Sequence, residues 1–92
     1  MNFEWDIRKA ASNLRKHGIS FDEAVTVFGD MQAVTFADTD HLEHEDRSRT
    51  YGFSCKSRLL VVVHTERPNK IRIISARKAT RYEQTIYTQD QE

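Results

Sequence analysis

Arginine and histidine are the side chains through which this sequence can do chemistry. Residues 47–82 carry ten lysines and arginines against one acidic residue, among them Arg47, Arg49, Arg67, Arg72 and Arg77. A guanidinium is planar and permanently charged, and it holds a phosphate through two parallel hydrogen bonds. Arg67, beside a Pro68-Asn69 turn, and Arg77, just after an apolar strand, stand at the ends of core elements, where a side chain can reach into a cleft. Four histidines, His17, His41, His44 and His64, supply proton carriers near neutral pH. His64 lies three residues before Arg67, which suits either a shared site or a hydrogen-bonded histidine at the sheet edge. His17 follows Lys16 at the expected end of a helix, where its charge can act on a substrate or simply complement the helix dipole.

This inventory fits metal-free cleavage of RNA. That reaction needs a base for the ribose 2′-hydroxyl, cations for the charge building on the phosphate, and an acid for the departing oxygen. The catalytic candidates are Arg67, Arg77, His64 and His17, and the RNA-binding candidates are Lys16, Arg47, Arg72 and Tyr87. The Tyr87 ring can stack on a base, or pack in the core of its helix. Glu45 and Arg47, two apart on a strand, point to one face and form either an ion pair or a contact to RNA. His41 and His44 lie among Asp40, Glu43, Glu45 and Asp46, a set able to bind a divalent metal but matching no strong metal motif, so a solvated loop is expected. No metal or other cofactor is expected.

The formal net charge is zero, yet it is unevenly distributed: residues 18–46 hold eight acidic side chains and no Lys or Arg. The basic second half can therefore form a positive surface while the chain as a whole stays neutral. The single cysteine, Cys55, has no partner for an internal disulfide and is read as incidental. No apolar run approaches the ~18 residues of a membrane span, and the first residues lack the basic and apolar regions of a signal peptide, so a cytoplasmic protein is expected. The 92 residues suit one compact domain, taken as 1–92.

The elements that must position these residues follow from periodicity and caps. Asn2-Phe3-Glu4-Trp5 reads as a short strand, and Asp6 caps a helix whose Ile7, Ala10, Ala11 and Leu14 share one face. Gly18 ends that helix, and Ser20-Phe21-Asp22-Glu23 is a capping box opening a second, with Phe21, Ala24, Val25 and Phe28 at helical spacing. Strands are expected over 33–36, over 47–53 with Arg47, Arg49, Tyr51 and Phe53 on one side, over 58–65 as a fully buried apolar run, and over 70–75. Gly52 suggests a bulge. Thr80-Arg81-Tyr82-Glu83 is a second capping box, opening a last helix. The expected fold is α+β, with two N-terminal helices, a four-stranded antiparallel meander sheet packed on one side by helices, and a C-terminal helix.

Trp5-Asp6, Lys9, Asn13, Lys16-His17-Gly18, Phe21, Glu23-Ala24, Val27-Phe28 and Asp30 resemble the opening pattern of BrnT toxins. Glu45 with Arg47, Gly52, residues 60–63, Thr65-Glu66-Arg67, residues 72–77, Glu83 and Tyr87 resemble the rest of that family's signature, so the likeness spans about residues 3–87. Met31-Gln32 stands where relatives commonly have a proline, so the chain after Asp30 is expected to bend differently. The resemblance implies a RelE-like fold and a type II toxin that stops growth by cleaving RNA. It also implies neutralisation by a BrnA-like antitoxin bearing a ribbon-helix-helix module, with operator DNA met only through that antitoxin. A non-catalytic partner and corepressor of such a DNA-binding protein is the alternative.

Overall fold

The computed structural model describes residues 1–38 and 46–89. In chain order these form β1 (Asn2–Glu4), α1 (Ile7–His17), α2 (Phe21–Val25) running into a 3-10 turn (Thr26–Gly29), β2 (Val34–Ala37), β3 (Arg47–Phe53), β4 (Leu59–Arg67), β5 (Lys70–Lys78) and α3 (Arg81–Gln89). The strands make one sheet in the order β1-β5-β4-β3-β2. The antiparallel meander from β2 to β5 is as expected, but the sheet has a fifth strand. β1 lies parallel to β5, with Asn2 opposite Lys70 and Glu4 opposite Arg72. A parallel pair needs a crossover, and nearly the whole chain lies between these two strands, so no turn motif announces their pairing.

The helices also divide between the two faces, where one covered face was expected. Strand alternation sends Leu60, Val62, Ile71, Ile73 and Ala76 to one side, where they meet Ile19, Phe21, Ala24 and Val27 from the α1–α2 segment and its 3-10 turn. The opposite side sends Tyr51 and Val61 against Tyr87 and Ile86 of α3. The apolar run of β4 is thus buried on both faces, at least at its first half.

Caps and glycines act where expected, with two differences. The Asp6 carboxylate accepts from the Arg8 and Lys9 amides at 2.7 and 3.3 Å, and Gly18 takes φ 70° to close α1. In the first capping box Ser20 Oγ accepts from the Glu23 amide at 3.0 Å. The Glu23 carboxylate, however, turns to the β3–β4 hairpin, where Ser54 Oγ donates at 2.6 Å and Arg58 pairs with it. Gly52 sits in regular pairing opposite Leu60 and not in a bulge. Its value is closeness: a Cβ there would stand 2.9 Å from Val27 Cγ1 and 3.0 Å from Ala33 Cβ. The irregularity falls between Val63 and His64, where Ile74 has no partner on β4.

Of the predicted apolar face of α1, Ala10 packs against the core, but the rest does not. Ile7 and Leu14 are 81% and 52% exposed, whereas Asn13 is buried. Asn13 Nδ2 donates to the Ala76 and Ile19 carbonyls at 2.8 and 2.9 Å, and its Oδ1 accepts from the Ala76 amide at 3.1 Å. Its side-chain amide therefore serves as a one-residue strand against β5 beyond the point where β1 stops.

Candidate nucleic-acid interface

The side of the sheet that carries α3 also carries the arginines. Pairing registers them in rows across the strands. Thr65 of β4 lies opposite Arg47 on β3 and Arg72 on β5, and Arg72 lies opposite Glu4 on β1. The next row joins Phe36, Arg49, Val63 and Ser75, and the one beyond it joins Val34, Tyr51, Val61 and Arg77. At the other end Arg67 is opposite Lys70, which is opposite Asn2. Because side chains two apart share a face, Arg47, Arg49, Arg67, Arg72 and Arg77 all project from one surface.

Carboxylates hold these cations to different degrees. The Arg77 guanidinium donates to both Glu83 oxygens at 2.7 and 2.9 Å, and Glu83 also accepts from the Thr80 amide at 2.9 Å. The Arg77 pair drives the Glu83 carboxyl down to about 2. Arg49 donates to Asp38 at 3.0 Å. Around Glu4 the contacts are longer: Arg72 Nη1 at 3.4 Å, Arg67 Nε at 3.6 Å and Lys70 Nζ at 3.7 Å. Beside this cluster, Met1, Asn2, Glu66, Arg67, Asn69, Lys70 and Ile71 line an open depression of about 580 Å³.

The histidines fall elsewhere. His64 is 1% exposed on the opposite face, its ring edge-on to Phe28 at 5.0 Å and its Nε2 2.7 Å from Thr50 Oγ1. Burial pushes its pKa down, and the three-residue spacing to Arg67 turns the two side chains to opposite faces. His17 and Lys16 are exposed at the end of α1 and line a shallow cavity of about 200 Å³ with Lys9, Ser12, Asn13, Ile74 and Ser75. They flank the β5 side of the sheet. Tyr87 is buried, its ring against Phe53 and its hydroxyl donating to Asp30 Oδ2 at 2.8 Å. Burial and the Asp30 carboxylate push the Tyr87 hydroxyl up to about 12, so it ties α3 to the sheet as a neutral donor. His41, His44, Asp40, Glu43 and Glu45 lie outside the described residues.

Glu4, Arg49 and Lys70 were not among the predicted site residues. Arg49 shares a strand face with Arg47, a signal legible from alternation alone. Glu4 and Lys70 become visible only once β1 is known to pair with β5.

A small α+β domain with an arginine-bearing sheet face, partly roofed by a C-terminal helix, presents positive charge of the kind a polyanion would require. Comparisons with known proteins give the family. The model of the family described as the ribonuclease toxin BrnT of type II toxin-antitoxin systems matches residues 5–83, and the chain belongs to that family. Among solved structures it is similar to the Brucella abortus ribonuclease toxin BrnT, with a TM-score of 0.67 and 21% identity over 88% of this chain and 99% of that one, a likeness of fold. Comparison with curated proteins gives no match. Family membership brings with it an antitoxin partner. Among the described residues no helix is long and apolar enough to cross a membrane.

Proposed function

We propose that this toxin is a metal-independent endoribonuclease that acts in the cytoplasm on messenger or other single-stranded RNA. A BrnA-like ribbon-helix-helix antitoxin silences it by covering the arginine face, and operator DNA is met only through that antitoxin. The observation that carries this reading is the convergence of five arginines on one sheet face. Arg47, Arg67 and Arg72 bind the phosphate chain at the β4–β5 hairpin end. Arg77, oriented by Glu83 but still 38% exposed, closes the α3 end. Lys16 and His17 extend the cationic surface past the β5 edge. His64, buried on the far face, takes no part in proton transfer.

Guanidinium groups pointed at a phosphate stabilise the transition-state charge without a metal, each contributing about 10²–10³ in rate. The test is incubation of the purified chain with RNA in EDTA. Shortening of the RNA is expected, with loss of cleavage in Arg67→Ala and Arg77→Ala while circular dichroism stays native. RNA left intact both in EDTA and with a divalent metal would refute the nuclease reading and favour a non-catalytic corepressor. Activity abolished by EDTA and restored by a divalent metal would refute metal independence.

A further inference from the structure

We propose that Glu4 is the general base of the ribonuclease reaction, a role that rests on the nuclease reading above. The nucleotide to be cleaved places its phosphate among Arg67, Lys70 and Arg72, and Glu4 takes the proton of the adjacent 2′-hydroxyl.

Three observations lead here. The first is position. Glu4 occupies the edge strand, on the arginine face, directly across from Arg72. Its side chain is 29% exposed and contacts Arg67 and Lys70, two residues that line the depression at the hairpin, so a nucleotide seated there can reach it from solvent.

The second is the state of the cations around it. Their distances to Glu4, 3.4 to 3.7 Å, exceed the ~2.7–2.9 Å of a committed charge-assisted hydrogen bond. One carboxylate shared loosely by three cations is easily exchanged for a phosphate, which offers more oxygens to the same donors. When the phosphate takes the cations, the carboxylate is left beside it with its lone pairs free.

The third is the contrast with the other carboxylates that pair with arginines of this face among the described residues. Asp38 and Glu83 have side chains only 2% and 10% exposed, and each is engaged by an arginine at 3.0 Å or less. Neither can turn to a ribose without releasing its partner. His64 lies on the other side of the sheet.

The step balances without a metal. The Glu4 carboxylate accepts the 2′-hydroxyl proton as the 2′-oxygen bonds to phosphorus. The bond from phosphorus to the 5′-oxygen breaks, its electron pair staying on that oxygen, which takes a proton from a water molecule. The hydroxide so formed recovers the proton held by Glu4. The products are a 2′,3′-cyclic phosphate and a 5′-hydroxyl end. Among the described residues, the charges facing Glu4 during the step are Arg67 from β4 and Lys70 and Arg72 from β5.

Glu4→Gln separates a base from a mere counter-ion. The substitution keeps the shape but removes the base and one negative charge from a cationic patch. The expected result is a kcat at least ~100-fold lower together with a lower KM for RNA, and loss of the acidic limb of the pH–rate profile. If Glu4 only neutralises its neighbours, Glu4→Gln will bind RNA more tightly and cleave it as fast as the wild type, which overturns the proposal. Should Glu4→Gln fail to fold by circular dichroism, Glu4→Asp serves instead. It retracts the carboxylate by one methylene and is expected to lower kcat about tenfold while keeping the acidic limb; an unchanged kcat overturns the proposal. A wild-type chain inactive both in EDTA and with a divalent metal refutes the nuclease reading itself, whereas an active wild type with an equally active Glu4→Gln refutes only the role of Glu4.

Discussion

Replacing Glu83 by glutamine tests whether the Arg77–Glu83 pair fastens α3 to the sheet. Glu83 accepts from both ends of the Arg77 guanidinium and from the Thr80 amide, so its charged form is strongly favoured once the chain is folded. Its carboxyl falls from an ordinary 4.5 to about 2. At ~1.36 kcal/mol per unit, the full linkage is roughly 3 kcal/mol. The Arg77 side chain is 38% exposed, and solvent screening there reduces the usable part to about 2 kcal/mol. Because the folded-state value is depressed, this stability is complete above pH 4.5 and is lost as the pH falls toward 2. Urea unfolding at pH 7 should therefore find Glu83→Gln less stable than wild type by about 2 kcal/mol, equivalent to a fall in Tm of about 8–16 °C for a domain of this size. Between pH 5 and pH 2.5 the wild type should lose that advantage, so that the two curves converge. Equal stability at pH 7, or a gap that persists unchanged at low pH, would show that the pair is an ordinary surface contact and that α3 is held by its apolar side chains alone.

Other substitutions probe the remaining joints. Asn13→Ala removes three buried hydrogen bonds and leaves the Ala76 amide and carbonyl unsatisfied, so a loss of about 2–4 kcal/mol in urea unfolding is expected; a loss below 1 kcal/mol would mean that water replaces the side chain. Gly52→Ala drives a methyl against Val27 and Ala33 and should cost about 1–3 kcal/mol, with wild-type stability recovered in part by the double variant Gly52→Ala/Val27→Ala; a neutral Gly52→Ala would mean that the 3-10 turn moves aside freely. Burial depresses the His64 pKa below 6.5, so as the pH falls through 6.5 the unfolded chain binds a proton that the folded chain does not, and stability declines. Denaturation midpoints at pH 7.5 and 5 should differ less in His64→Gln than in the wild type, and equal slopes would refute the assignment.

The local elements were legible in the sequence because each has a short-range cause. Asp6, Gly18, Ser20 and the Thr80–Glu83 box act within a turn of their own positions, and alternation marked β3 with its arginines on one side. What was not legible depends on distant partners. The apolar spacing of Ile7 and Leu14 selected an inward stripe for α1, yet the helix turns Asn13 inward because β5 leaves an amide and a carbonyl at Ala76 for it to satisfy. Glu4 reads as an ordinary strand residue until the parallel pairing sets it across from Arg72. His64 looked like a neighbour of Arg67 along the chain, and strand geometry turned it to the other face.

The same alternation explains how so small a chain can supply both a core and a reactive surface. β3 sends Ser48, Thr50 and Gly52 toward the α1–α2 side and Arg47, Arg49 and Tyr51 toward the α3 side. β5, with its one irregularity at Ile74, sends Ile71, Ile73 and Ala76 inward and Lys70, Arg72 and Arg77 outward. A sheet covered equally on both faces would bury those arginines at prohibitive desolvation cost, and one left bare would expose Tyr51 and Val61. α3, described over Arg81–Gln89, covers the apolar row through Tyr87 and Ile86, and among the described residues no helix covers the rows with Arg47, Arg67 and Arg72. The extent of this helix over the sheet therefore bears on how much of the arginine face is left for the proposed RNA contact. Lengthening or further anchoring α3 over that face should lower RNA affinity without unfolding the domain.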